Sequence, residues 1–278
     1  MSPPRAQSFS SADSSSPATM LAVCQRGGAA RAARRPLPQR LAKPPQRGAR
    51  RLRAGPLGRR AEAPVRPWPS ARAAGGQAGS RQPTLLFDVM DTIVSDPFYQ
   101  HMPAYFGMSF KDLLAAKHPS AWMEFEKGRI SQDEFEESFF ADGRAYDRDG
   151  LRDRMKKNYV IIDGMEELLL GLRSAGYDMH IMSNYPMWYK LVEERCQLSR
   201  FLPWTFVSCD GPMQGLRKPD PACFQCAADH LSVAPGDLVL IDDRPLNVEA
   251  AREAGLGGIL YESAEQLRTE MAALGVLL

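Results

Sequence analysis

Five short apolar runs punctuate the chain after residue 83, each bounded by polar residues. They are Thr84-Leu-Leu-Phe-Asp88, Asp178-Met-His-Ile-Met-Ser183, Thr205-Phe-Val-Ser-Cys209, Asp237-Leu-Val-Leu-Ile-Asp242 and Gly258-Ile-Leu-Tyr261. Runs of this length, lacking polar alternation, predict strands buried on both faces. Between them the apolar spacing lengthens to that of a helix. Residues 165–175 form one such stretch, closed by Gly176, and residues 186–198 form another. Asp220-Pro221 places an N-cap before a proline-started helix that runs to about Leu231. Residues 245–254 stop at Gly255, and Ser263-Ala-Glu-Gln266 is a capping box for a last helix. Alternation of strand and helix predicts an α/β fold with a central parallel sheet and helices on both faces.

One stretch interrupts the alternation. Residues 97–159 carry no strand pattern. They read as helices over residues 109–117, 120–127, 131–140 and 149–159, the third opened by the capping box Ser131…Glu134. A helical insertion directly after the first strand predicts a small lid. The expected organisation is a core of residues 83–96 and 160–278 with residues 97–159 inserted as that lid. No internal repeat is present.

Charge divides the chain differently. The whole is nearly balanced, at +2. Residues 1–82 hold 15 Arg and one Lys against only Asp13 and Glu62, whereas the remainder carries 19 bases and 31 acids. The folded part is therefore acidic, which argues against non-specific nucleic-acid binding. No apolar run reaches the length of a membrane span, and five Cys are too few for a disulfide scaffold. Residues 1–82 also hold 11 of the 22 Pro and 8 of the 22 Gly, with apolar residues only singly. Such a segment buries too little apolar surface to offset its chain entropy and is expected to be disordered. Ser-rich, Arg-rich and acid-poor is the composition of an organelle transit peptide, read by an import machinery. Chloroplast is the expected destination once the resemblance below is added, with mitochondrion as the alternative. A basic tail for RNA or acidic partners is the competing reading.

Chemistry concentrates at the carboxyl ends of the predicted strands, the edge where open parallel sheets bind ligands. Asp88-Val-Met-Asp91-Thr92, Ser183-Asn184, Lys218-Pro219-Asp220-Pro221 and Asp242-Asp243 all fall there or in the loops that follow. Carboxylates at this density repel one another unless a hard cation sits among them, and Mg²⁺ with oxygen ligands suits such a site. Lysine together with Mg²⁺ suits a phosphoryl group, and a strand-end Asp facing that group can act as nucleophile. Cys223-Phe-Gln-Cys226 lies within a predicted helix and has no second pair at zinc spacing, so it reads as small buried hydrophobes. The aromatic residues Trp122, Phe125, Tyr185, Trp188 and Tyr189 could stack on a flat ligand or pack lid against core; Tyr185 is nearest the catalytic edge.

In order and spacing the four clusters resemble the motifs of the haloacid dehalogenase (HAD) superfamily. The resemblance implies a Rossmann-like core with an inserted helical cap. Within that superfamily, Phe87-Asp-Val-Met-Asp-Thr-Ile93, Trp122-Met-Glu-Phe-Glu-Lys-Gly128, Asn184-Tyr-Pro-Met-Trp-Tyr189 and Ile241-Asp-Asp-Arg-Pro-Leu-Asn247 are similar to the chloroplast FMN phosphatases of plants. The implied activity is Mg²⁺-dependent hydrolysis of flavin mononucleotide to riboflavin and phosphate. Asp88 is implied as nucleophile, with Ser183 and Lys218 holding the phosphoryl group. The Asn184 backbone is implied to lie close to the phosphoryl group, and Asp88, the Met90 carbonyl, Asp242 and Asp243 to hold Mg²⁺; among the aromatics Tyr185 is the candidate for contact with substrate. Thr92 is expected to brace the loop after the first strand.

Position 90 departs from the family. Its acid/base carboxylate sits two residues after the nucleophile, and Met90 stands there. Asp91 is one residue too far to inherit the role. Loss of a positioned general acid removes a factor of about 10²–10⁴, small beside the largest enzymatic accelerations of phosphate-ester hydrolysis, about 10²¹. A slow phosphatase is the expectation, with another phosphomonoester as alternative substrate. A HAD-like protein that binds without turning over is the alternative class. A metal-free dehalogenase is disfavoured by Asp242-Asp243.

Overall fold

The computed structural model describes residues 82–273 and residue 276. Within them lies a five-stranded parallel sheet. Its strands are β1 (Thr84–Phe87), β4 (Met179–Ser183), β5 (Phe206–Val207), β6 (Leu238–Asp242) and β7 (Gly257–Leu260), in the order β5-β4-β1-β6-β7. All five apolar runs become sheet strands. β1 is central, with Leu85 opposite Met179 on one side and Val239 on the other.

Alternation along each strand divides the core into two layers. Leu85, Phe87, Ile181 and Ile241 belong to one apolar cluster, packed with Met165, Leu168, Leu169 and Leu172 of α6 (Met165–Ser174). Leu86, Met182, Leu238 and Leu240 belong to the other, against Phe224 and Ala227 of α8 (Pro221–Leu231) and Ala251 of α9 (Pro245–Glu253). α7 (Tyr189–Cys196) and α10 (Ala264–Ala273) contribute Val192 and Leu267 to the first layer. The Asp220 cap forms as expected, its carboxylate accepting the N–H of Ala222 at 3.0 Å. The last helix differs in detail. Ser263 Oγ accepts the Gln266 N–H, but the Gln266 side chain accepts the N–H of Glu262 rather than that of Ser263. The box there is displaced by one residue.

Two features have no sequence signal. A two-residue antiparallel pair joins β2 (Val94–Ser95) to β3 (Val160–Ile161), immediately outside the helical insertion. A five-residue helix, α1 (His101–Tyr105), opens the insertion. α2 (Phe110–Ala116), α3 (Ala121–Glu126), α4 (Gln132–Glu137) and α5 (Arg148–Lys157) follow, each within or near its predicted span. Ser131 and Glu134 form the full reciprocal capping box. Among the described residues no helix is long and apolar enough to cross a membrane. The transit-peptide reading of residues 1–82 lies outside the described residues, apart from Gln82.

Candidate active site

β1, β4 and β6 are neighbours, so Asp88, Ser183 and Asp242 reach the same sheet edge on adjacent strands. The Asp88 N–H donates to the carbonyl of Ile241 at 2.9 Å, continuing the β1–β6 ladder one residue beyond the strand. Lys218 enters from the loop after β5 and is 1% exposed. Its Nζ donates to Asp88 Oδ1 at 2.9 Å, Asp242 Oδ2 at 2.6 Å and the Met182 carbonyl at 2.6 Å. All three of its N–H groups are thereby used. Burial alone would lower the Lys218 pKa; the charges of Asp242 and Asp88 outweigh it and hold the ammonium above its ordinary value.

The carboxylates divide into engaged and free. Asp242 is fully enclosed. Besides Lys218 it receives both contacts of the Asn247 amide at 3.0 Å and the Arg244 backbone N–H at 2.9 Å. Asn247 lies in the first turn of α9. Asp243 is the opposite case, for its buried Oδ1 has no hydrogen-bond partner among the described residues. Asp88, Asp242 and Asp243 each offer an oxygen within 4.8 Å of the others. Burial raises Asp88 to about 7, against the pull of Lys218. Burial and then the Asp242 charge raise Asp243 to about 6.

This donor set fits a hard divalent cation. Three crowded carboxylates, two of them with raised proton affinity and one with an orphaned oxygen, are stabilised by such an ion. The Met90 carbonyl accepts no hydrogen bond among the described residues and is chemically a further oxygen ligand. Ser183 Oγ is buried and equally without a partner. A buried hydroxyl in that condition costs stability unless a ligand meets it.

Two expectations, for Thr92 and Tyr185, require correction. Thr92 does not brace its loop through its side chain, since its buried Oγ1 has no partner among the described residues. Asp91 braces the loop instead, adopting φ +56° and accepting the Asp96 N–H at 2.9 Å. The expectation for Asn184 concerns its backbone; its side chain is engaged with protein. Its amide donates to the Lys218 carbonyl and accepts the Lys218 N–H, at 2.8 and 2.9 Å, clamping the lysine backbone. Tyr185 offers no open ring face. It is 3% exposed, its hydroxyl lies 2.8 Å from that of Tyr159, and Trp122 meets its ring edge-to-face. Trp122 also packs on Trp188, which in turn meets Phe125 and Phe135. These aromatics form the seam between the helical insertion and the core.

That seam has a polar fastening that no motif marks. Glu126, at the end of α3, receives Arg217 Nε at 2.6 Å and Trp122 Nε1 at 3.2 Å. Arg217 directly precedes Lys218. Ser208 Oγ donates to the Glu126 carbonyl at 2.6 Å. Cys223 is buried and Cys226 half-buried within α8; both are free thiols whose pKa values burial raises.

Residues 83–255 match the model of the haloacid dehalogenase-like hydrolase family. The chain belongs to that family. It is 49% identical over 194 residues to flavin mononucleotide hydrolase 1 of Arabidopsis thaliana chloroplasts, covering 70% of this chain and 78% of that protein. Among solved structures it resembles a HAD-family enzyme from Bacteroides thetaiotaomicron in complex with magnesium and inorganic phosphate. The TM-score is 0.56 at 19% identity, over 66% of this chain and 96% of the other. A HAD-like hydrolase from Porphyromonas gingivalis superposes with TM-score 0.56 at 17% identity, over 71% and 99%. These two likenesses concern the fold.

Proposed function

We propose that the protein is a Mg²⁺-dependent phosphomonoesterase that converts FMN to riboflavin and phosphate. The observation that carries the chemistry is a strand-end Asp88 held by a buried lysine, beside two buried polar atoms, Asp243 Oδ1 and Ser183 Oγ, that lack partners among the described residues. Similarity to the Arabidopsis FMN hydrolase supports the choice of substrate.

In this reading Asp88 attacks the phosphorus and becomes an aspartyl-phosphate, later hydrolysed by water. Lys218 offsets the charge on Asp88 and on the phosphoryl oxygens. Ser183 donates its hydroxyl to one of those oxygens, and the Asn184 backbone lies beside it. Asp88, Asp243 and the Met90 carbonyl would hold Mg²⁺, with Asp242 acting directly or through water. The ion, when bound, neutralises charge among these carboxylates and on the phosphoryl group. Residues 97–159 serve as the cap over a core of residues 83–96 and 160–278. Residues 1–82 direct import into the chloroplast, a destination supported by their composition and by the relative's name.

Met90 favours the competing reading of a protein that binds flavin phosphate without hydrolysing it. Phosphate release from FMN by the full chain, with Mg²⁺ and with EDTA, beside Asp88→Asn, decides between them. Release that needs both the ion and Asp88 is expected. Silence with FMN but release from a sugar phosphate or nucleotide would reassign the substrate. Silence throughout would leave the binding protein.

A further inference from the structure

The end of α3 ties the helical insertion to both loops that deliver phosphate-facing side chains. Glu126 is buried there, and its side chain receives Arg217 Nε at 2.6 Å and Trp122 Nε1 at 3.2 Å. Among the described residues Glu126 is the only ion-pair partner of Arg217. Arg217 directly precedes Lys218, and its carbonyl accepts the Asp220 N–H at 2.9 Å, so the turn that carries Lys218 closes on Arg217. From that turn Lys218 Nζ reaches Asp88 Oδ1 at 2.9 Å. The main chain of Glu126 makes a second tie. Its carbonyl accepts Ser208 Oγ at 2.6 Å. Ser208 in turn donates its N–H to the Ser183 carbonyl at 3.0 Å, and its own carbonyl accepts the Gly215 N–H at 2.9 Å, three residues ahead of Lys218. One residue of the insertion thus reaches the backbones of Lys218 and Ser183 through a single intermediate each. Fastening alone does not call for this arrangement. Trp122 and Phe125 already pack on Trp188, and a buried ion pair is a weak source of stability beside an apolar contact. What the pair adds is a guanidinium fixed in one place, next to the lysine of the site.

We propose that Glu126 is a positioning residue: through Arg217 it sets the place of the Lys218 ammonium against Asp88 and the phosphoryl group. The site is then complete only while the end of α3 is docked on the core. The proposal rests on the phosphatase reading above. Glu126 itself meets no reacting atom. Its effect is felt where Lys218 offsets charge, and a misplacement of about 1 Å at such a group can cost about 100-fold in rate. The loss falls on kcat rather than on KM, because the charge that Lys218 meets is greatest in the transition state.

The test measures kcat and KM for FMN, and the affinity for inorganic phosphate, in the full chain and in Glu126→Ala, all with Mg²⁺. Phosphate has no leaving group for the insertion to hold, so it reports on the core donors alone. In Glu126→Ala kcat should fall by about 10- to 100-fold with KM changed by less than about threefold, and phosphate should bind about tenfold more weakly. Glu126→Gln, which keeps an acceptor for Arg217, should return kcat to within about threefold of the parent. A rise in KM alone with phosphate affinity unchanged would reduce Glu126 to a fastening of the insertion and overturn the proposal. So would a lowered melting temperature with kcat intact. Should Glu126→Ala fail to melt cooperatively, the double variant Glu126→Gln with Arg217→Met leaves no lone buried charge, keeps the Trp122 contact and should show the same loss of kcat. If the parent chain hydrolyses no phosphomonoester, the phosphatase reading fails by itself. Calorimetric binding of inorganic phosphate then decides the role of Glu126: a tenfold loss in Glu126→Ala upholds it, and an unchanged affinity, or a parent that binds no phosphate, overturns it.

Discussion

Lys218 is the most constrained residue of the site, since it neutralises two carboxylates and caps a strand carbonyl in a place without solvent. A buried ion pair need not add net stability, but removing one partner leaves uncompensated charge. Lys218→Met keeps the volume of the stem and deletes the charge. It should cost about 3–5 kcal/mol by denaturant unfolding of the metal-free protein. The loss should shrink at low pH, where Asp88, already raised to about 7 by burial, takes up a proton. A pH-independent loss would mean that packing, not charge, is what Lys218 supplies. This residue was legible in the sequence because a lysine ahead of Pro219-Asp220-Pro221 belongs to a spaced set of motifs. The Asn184 clamp on the Lys218 backbone was not legible, because it joins positions 34 apart.

At the scale of elements, the aligned strand ends were readable while the seam was not. Apolar runs bounded by polar residues specify buried strands almost by themselves, and their ends locate the site. The β2–β3 pair is two residues long on each side, too short to show a period. The Glu126–Arg217 pair joins residues 91 positions apart, so no local pattern betrays it. Gly128 shows how closely the insertion approaches the core. It adopts φ +66°, and a Cβ there would lie 2.5 Å from the Cys209 carbonyl oxygen. Backbone cannot yield as a flexible side chain can. Gly128→Ala should therefore destabilise the protein by more than about 1 kcal/mol, combining left-handed strain with the clash. Gly143, at φ +68° with open space around its missing Cβ, is the control. Gly143→Ala should show only the strain. Equal losses at the two positions would show that the approach to Cys209 contributes nothing.

For the whole molecule, the raised carboxylates set an unusual pH dependence. Asp88 is raised to about 7, and Asp96 and Asp243 to about 6, from an ordinary value of 3.8. Between about pH 4 and 7 the metal-free folded state thus binds more protons than the unfolded chain. Stability must fall as pH rises through that window. The carboxylates with lowered values, such as Glu193, act in the opposite sense, and their effect is confined below about pH 4.5. A divalent ion reverses the trend, because it needs the ionised form that folding alone disfavours. At a hundredfold excess over its Kd, Mg²⁺ adds about 2.7 kcal/mol. That gain should be present at pH 7.5 and largely lost at pH 5.5, where protons occupy the same oxygens. The measurement is a set of denaturant melts at the two pH values, with EDTA and with Mg²⁺. Asp243→Asn should remove most of the Mg²⁺ gain while reducing the metal-free slope. A metal-free protein that grows more stable from pH 5 to 7, or a Mg²⁺ gain indifferent to pH, would contradict a site built from carboxylates that burial holds near neutrality.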